Sequence, residues 1–202
     1  MTVTETISAS GRAIPPVVII QGKHHIESWY RERLHNKERI LLSESGFTTD
    51  ELALRFLEHL IQYTNASPDQ PYKLLLMDNH GSHRTPEFIL LAASHNIVLF
   101  PFSPHLTHCM QPCDIGVFQA MKHWHNKAIQ YALETLDFDY TISSFLRDLP
   151  EIRSKTLTKP IVKKAFCNAG MWPVNSQVVL KKMAKYMKES TPEPVLPPLP
   201  PP

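Results

Sequence analysis

The segment that most limits the fold is Lys73-Leu74-Leu75-Leu76-Met77, closed at once by Asp78-Asn79-His80-Gly81-Ser82-His83. A half-solvated strand alternates apolar and polar residues; this run does not. It reads as a strand buried on both faces, central in a sheet with helices on each side. Such a strand calls for an α/β layered chain.

The flanking patterns agree. Residues 2–9 alternate with the strand period, and Pro15-Pro16-Val17-Val18-Ile19-Ile20 reads as a second strand entered through prolines at the sheet edge. Thr48 or Thr49 caps a helix whose apolar stripe is Leu52, Phe56, Leu57, Leu60 and Ile61. Thr85-Pro86 opens another helix that runs to about Ser94, and residues 97–100 form a further β-rich run. After a polar loop over residues 101–111, Pro112 starts a helix buried through Phe118, Met121, His125, Ala128 and Ala132. Residues 151–188 read as two or three short helices. Residues 191–202, ending Pro197-Pro198-Leu199-Pro200-Pro201-Pro202, suit only a polyproline or disordered tail. The expected division is therefore a core over residues 1–150, a basic helical extension over 151–190 and a tail over 191–202.

Charge is unevenly placed. Residues 151–188 carry nine Lys and Arg against the single Glu151, a net of +8, and the rest of the chain carries −6. A basic segment beside an acidic body suits an enzyme that meets phosphate with one part and holds metal with the other. No apolar run approaches the ~20 residues of a membrane span, so no membrane partner is expected. Residues 1–10 lack the basic start and apolar core of a signal peptide. The three cysteines are too few and odd in number for a disulfide framework, which points to a reducing, intracellular setting.

Two carboxylates stand where chemistry is expected. Asp78 lies at the C-terminal tip of the apolar strand, where open α/β sheets place ligands. Asp114 lies in the first turn of a helix, whose dipole favours the ionised form that metal binding needs. The 35 residues between them suffice for a helix, a strand and a loop, so both can reach one sheet edge and hold Mg²⁺ or Mn²⁺.

The segment Leu74-Leu75-Leu76-Met77-Asp78-Asn79-His80-Gly81-Ser82-His83 resembles the second-aspartate motif of the DDE superfamily endonuclease domain. That domain occurs in pogo/Tc1-mariner-like transposases and in centromere-binding and Jerky-like proteins. The stretch from Pro101-Phe102-Ser103-Pro104 to Gln111-Pro112-Cys113-Asp114-Ile115-Gly116-Val117-Phe118 is similar to the third-aspartate segment, and Lys122 fits a lysine that often follows it. The segment from Ile7-Ser8-Ala9-Ser10-Gly11 through Pro15-Pro16 to Gly22-Lys23 looks like the family's second and third strands, and Ala165-Phe166 to Gly170-Met171-Trp172-Pro173 like its terminal helix-turn segment. The resemblance covers roughly residues 1–180.

It implies a ribonuclease H-like fold, a mixed central sheet with helices on both faces, followed by short C-terminal helices. It implies two-metal cleavage and strand transfer on DNA, with Asp78 and Asp114 as catalytic metal ligands for Mg²⁺ or Mn²⁺. DNA is the expected partner and the nucleus the expected location; transposases act on paired ends, so a homo-oligomer is allowed. His80 and His83 would line the site, and Lys122, Lys163, Lys164, Lys181 and Lys182 would meet DNA phosphate. In the family the first catalytic aspartate sits on a first strand upstream of the segment matching residues 2–10. That strand is expected to be missing here, leaving a sheet edge unpaired and the core inactive, with Glu5 a poor substitute. The chain would then be a decayed copy or a domesticated DNA- or protein-interaction domain. A zinc module built on His80-x-x-His83, His105-x-x-His108 and Cys109-x-x-x-Cys113 is the alternative of a different class. Phe166, Met171 and Trp172 are expected in the core rather than as base-stacking groups.

Overall fold

The computed structural model describes residues 1–31, 37–103, 106–136 and 138–190. In chain order its elements are β1 (Thr2–Thr4), β2 (Val17–Gln21), α1 (Ser28–Arg31), β3 (Arg39–Ser43), α2 (Asp50–Thr64), β4 (Lys73–Met77), α3 (Pro86–Ala93) and β5 (Ile97–Pro101). The helices α4 (Thr107–Met110), α5 (Phe118–Glu134), α6 (Ile142–Thr156), α7 (Lys159–Asn168) and α8 (Ser176–Ser190) follow. A 3-10 turn at Gly81–His83 follows β4, and a π-helical turn at Cys113–Val117 feeds α5. The expected tail lies outside the described residues.

Local chemistry sets the helix ends. Thr49 Oγ1 accepts from the Leu52 N–H at 3.3 Å and opens α2, with Asp50 and Glu51 on the favourable side of the dipole. Asn65 closes α2 at φ 53°, a left-handed conformation asparagine tolerates better than most residues. Thr85 Oγ1 accepts from the Phe88 N–H at 3.3 Å and Pro86 fills the first turn of α3.

The described strands form two sheets. β1 pairs antiparallel with β2, and β2 pairs parallel with β3; separately, β4 pairs parallel with β5. The buried central strand is β2, not β4. Val18 and Ile20 on one face meet Trp29, Phe145, Leu146 and Leu149, while Val17 and Ile19 on the other meet Leu52 of α2. The prolines before β2 therefore lead into the core and not along an edge. β4 was expected to be covered on both sides. Its Leu75 and Met77 do pack with Leu57, Leu60 and Phe88, but Leu74 is 62% exposed. In β5, Ile97 and Leu99 join that same cluster while Val98 and Phe100 are exposed. Phe56 of α2 touches both the β2 cluster and the β4–β5 cluster, so one helix backs both sheets. Among the described residues β1, β3, β4 and β5 each have one edge without a ladder partner.

The division expected at residue 150 falls inside α6, whose Phe145, Leu146 and Leu149 cover β2. The basic segment is likewise part of the body. A Cβ placed on Gly116 would stand 2.6 Å from Ala165 Cβ and 2.9 Å from its Cα, so α7 seats directly on the π-helical turn. Only a residue without a side chain permits that approach.

Candidate metal-binding carboxylate pair

Asp78 follows the last residue of β4, and the next turn is built to hold it. The His80 N–H donates to Asp78 Oδ1 at 3.4 Å. The His80 ring is itself braced: its Nδ1 lies 2.7 Å from Ser82 Oγ and accepts from the Ser82 N–H at 3.4 Å. His83 Nδ1 stands 3.0 Å from Asp78 Oδ1. The approach is too bent for a well-aligned hydrogen bond, and the atom is buried with no other partner. Phe88 flanks the ring at 5.4 Å between centroids. The His83 contact holds the Asp78 carboxyl below its ordinary range, outweighing the partial burial that pushes it up.

Asp114 comes from a different element. It lies on the π-helical turn, a distortion that often marks a functional position. Burial pushes its pKa up, and the charge on Asp78 pushes it further. His108 and Lys122 pull in the opposite direction. Asp78, His108 and Lys122 thus all lie within electrostatic reach of Asp114, although 35 residues separate the two aspartates. Asp114 has no hydrogen-bond or ion-pair partner among the described residues.

The remaining expected residues divide. Lys163 and Lys164 lie exposed on α7 without an ion pair among the described residues, and Lys181 is exposed on α8. Lys182 is turned inward and its Nζ donates to Asn168 O at 2.6 Å, closing the C-terminus of α7. Phe166 is buried as expected, but Trp172 is 60% exposed. Glu5 is fully committed: Arg153 donates to its two carboxylate oxygens at 2.8 and 3.0 Å and to Ile14 O at 2.6 Å. Burial nevertheless pushes the Glu5 pKa up by more than Arg153 pulls it down.

The zinc alternative finds no site among the described residues, where no three His, Cys, Asp or Glu side chains converge on a metal position. Cys109 and Cys113 are buried, and burial pushes the Cys113 thiol up to about 12. His105 lies outside the described residues. Sequence reasoning missed the Gly116–Ala165 contact and the Glu5–Arg153 pair. Only the bare presence of Gly116 beside the motif hinted at the first.

A family model for the DDE superfamily endonuclease matches residues 1–164. The chain belongs to that family. This DDE endonuclease chain is also similar to the protein named MFS-type transporter clz9 of Cochliobolus lunatus, 31% identical over 183 residues. The match takes in 91% of this chain and 20% of that protein, so the chain spans about a fifth of the relative's length. No solved structure matches the chain. Among the described residues no helix is long and apolar enough to cross a membrane. The donor set at Asp78 and Asp114 fits the divalent ions that the superfamily generally uses. Carboxylate oxygens are the ligands Mg²⁺ and Mn²⁺ prefer, one carboxylate is uncommitted, and a cation would relieve the repulsion between the two.

Proposed function

We propose that this chain is the metal- and DNA-binding part of a transposase-type endonuclease of the pogo/Tc1-mariner kind, ribonuclease H-like in fold, working on DNA in the nucleus. The reading rests on one observation: Asp114, on a distorted helical turn, lies close enough to Asp78, at a strand tip, for the Asp78 charge to add to burial in raising the Asp114 pKa. Neighbouring carboxylates are relieved either by a proton on one of them or by a cation between them, and here the cation is proposed.

Asp78 and Asp114 would hold Mg²⁺ or Mn²⁺. When bound, such an ion lowers the pKa of its water and neutralises the charge on the phosphodiester. The protein's own contribution is positioning. His83 keeps Asp78 ionised, and the His80–Ser82 bracket fixes the turn that carries it. Gly116 lets α7 brace the turn that aims Asp114. Lys122 adds positive charge beside the pair, where a phosphate would sit. Lys163, Lys164 and Lys181 offer exposed ammoniums to the DNA backbone, a contact that weakens as salt rises. Residues 1–202 by themselves are proposed to bind metal without cutting DNA, because two carboxylates are too few ligands for a pair of cations. Homo-oligomers on paired DNA ends belong to the same proposal.

Mn²⁺ binding followed by electron paramagnetic resonance tests the pair without needing turnover. The Asp78→Asn and Asp114→Asn variants should each weaken binding at least about tenfold. Unchanged affinity in either variant would falsify the reading. Plasmid nicking that needs Mn²⁺ and disappears in Asp78→Ala would instead show the 202 residues to be an active enzyme.

A further inference from the structure

An open concavity of about 690 Å³ is lined by Ser10, Lys163, Lys164, Cys167, Trp172 and Pro173. Its size is that of a ligand site. Its lining contains two ammoniums and no carboxylate, and neither lysine has an ion-pair partner among the described residues. An anion would meet no opposing charge in the groove.

The aromatic wall is held stiffly. The Met171 and Trp172 N–H groups both donate to Phe166 O, at 3.0 and 3.3 Å, and the Asn175 N–H donates to Gly170 O at 2.9 Å. Gly170 has φ +67°, and a Cβ there would stand 2.5 Å from Asn175 O, so glycine is required at this corner. The turn therefore presents an indole that is 60% exposed on a braced backbone, unlike the buried Trp29 at 5%. A large flat aromatic displayed beside two free ammoniums matches the way single-stranded nucleic acid is held: bases stack on the ring and phosphates meet the cations. Duplex bases hide their faces within the stack, so the indole adds nothing to duplex binding.

We propose that this groove is a single-stranded DNA subsite, with one base stacked on Trp172 and the adjoining phosphate held by Lys163 and Lys164. The inference rests on the DNA-endonuclease reading and deepens it. The helix carrying both lysines is the one whose Ala165 abuts Gly116 on the Asp114 turn. A strand lying in the groove is thereby tied to the helix that braces the metal site.

Cys167 supplies the probe, since it is the exposed thiol while Cys109 and Cys113 are buried. The full chain is treated with an uncharged maleimide in the presence of an oligothymidylate of roughly twelve nucleotides, within the usual site size. Saturating oligonucleotide should slow Cys167 modification at least tenfold, and duplex of equal length should slow it much less. In anisotropy titrations Trp172→Ala should weaken oligothymidylate binding about 10- to 100-fold. Trp172→Phe should restore most of the affinity, and the double variant Lys163→Gln, Lys164→Gln should flatten the salt dependence. Unprotected Cys167 under bound oligonucleotide overturns the proposal, as does a Trp172→Ala variant that binds like the parent, or duplex that protects as well as single strand. Mn²⁺ binding measured on the same samples separates the two readings. Normal Mn²⁺ binding with an indifferent Trp172 ends this inference alone; lost Mn²⁺ binding with a sensitive Trp172 ends the endonuclease reading alone.

Discussion

Two parallel strand pairs in this molecule are matched in length and differ in cover. β2 and β3 are joined in register from Val17 with Arg39 to Gln21 with Ser43, and β4 and β5 from Lys73 with Ile97 to Met77 with Pro101. β2 is sealed between α6 on one face and α2 on the other. The β4–β5 pair is backed on one face only, leaving Leu74, Val98 and Phe100 exposed on the other. The lightly covered pair carries Asp78. Burial is therefore concentrated in one sheet, and the proposed metal ligand stands at the tip of the other, an arrangement suited to a site that a substrate must reach.

The sharpest way to break this contrast is at the Glu5–Arg153 pair, which ties the chain after β1 to α6. The side chains are 0% and 16% exposed. Removing one partner of a buried pair costs about 3–5 kcal/mol. Arg153→Met should lose that much in urea unfolding, and adding Glu5→Leu should recover part of it. A mild effect from Arg153→Met alone would mean that α6 does not seal the sheet as described.

Next in size is the direct comparison of the two sheets. Ile20→Ala, in the sealed strand, should cost ~2–5 kcal/mol. Leu74→Ser, on the bare face, should stay within ~0.5 kcal/mol. Comparable losses from the two would show that β4 is covered after all.

The smallest effect concerns acid. His59 of α2 is buried, and its Nε2–H donates to Pro15 O at 2.8 Å, just ahead of β2. Burial holds its pKa below the ordinary histidine value. The neutral form is favoured in the fold, so the unfolded chain takes up the proton more readily. The associated stability is complete above about pH 6.5 and declines as pH falls from there toward the lower folded value. His125, also shifted downward by burial, acts in the same direction. His59→Gln keeps a donor for Pro15 O and should flatten the fall in urea midpoint between pH 7.5 and pH 5.5 without abolishing it. An unchanged pH slope would remove His59 from the account.

The places of the two proposed metal-binding aspartates in the fold were readable from the chain alone. Asp78 ends an apolar run, Asp114 follows Gln-Pro at a helix start, and each is placed by local pattern and backbone chemistry. The helix starts at Thr48 or Thr49 and at Thr85-Pro86 were readable for the same reason, and the structure gives the caps to Thr49 and Thr85. Which strand lies at the centre was not, because the runs at β2 and β4 are equally apolar. Burial depends on which distant helix settles on which face, and α6 comes from more than a hundred residues away to cover β2. Lys182 as a cap for α7, Trp172 as an exposed ring and Gly116 as a seat for α7 likewise depend on partners that sequence spacing does not name. Local interactions decided where each element begins and what it carries; only the packing of distant elements decided what is buried and what is left open to a ligand.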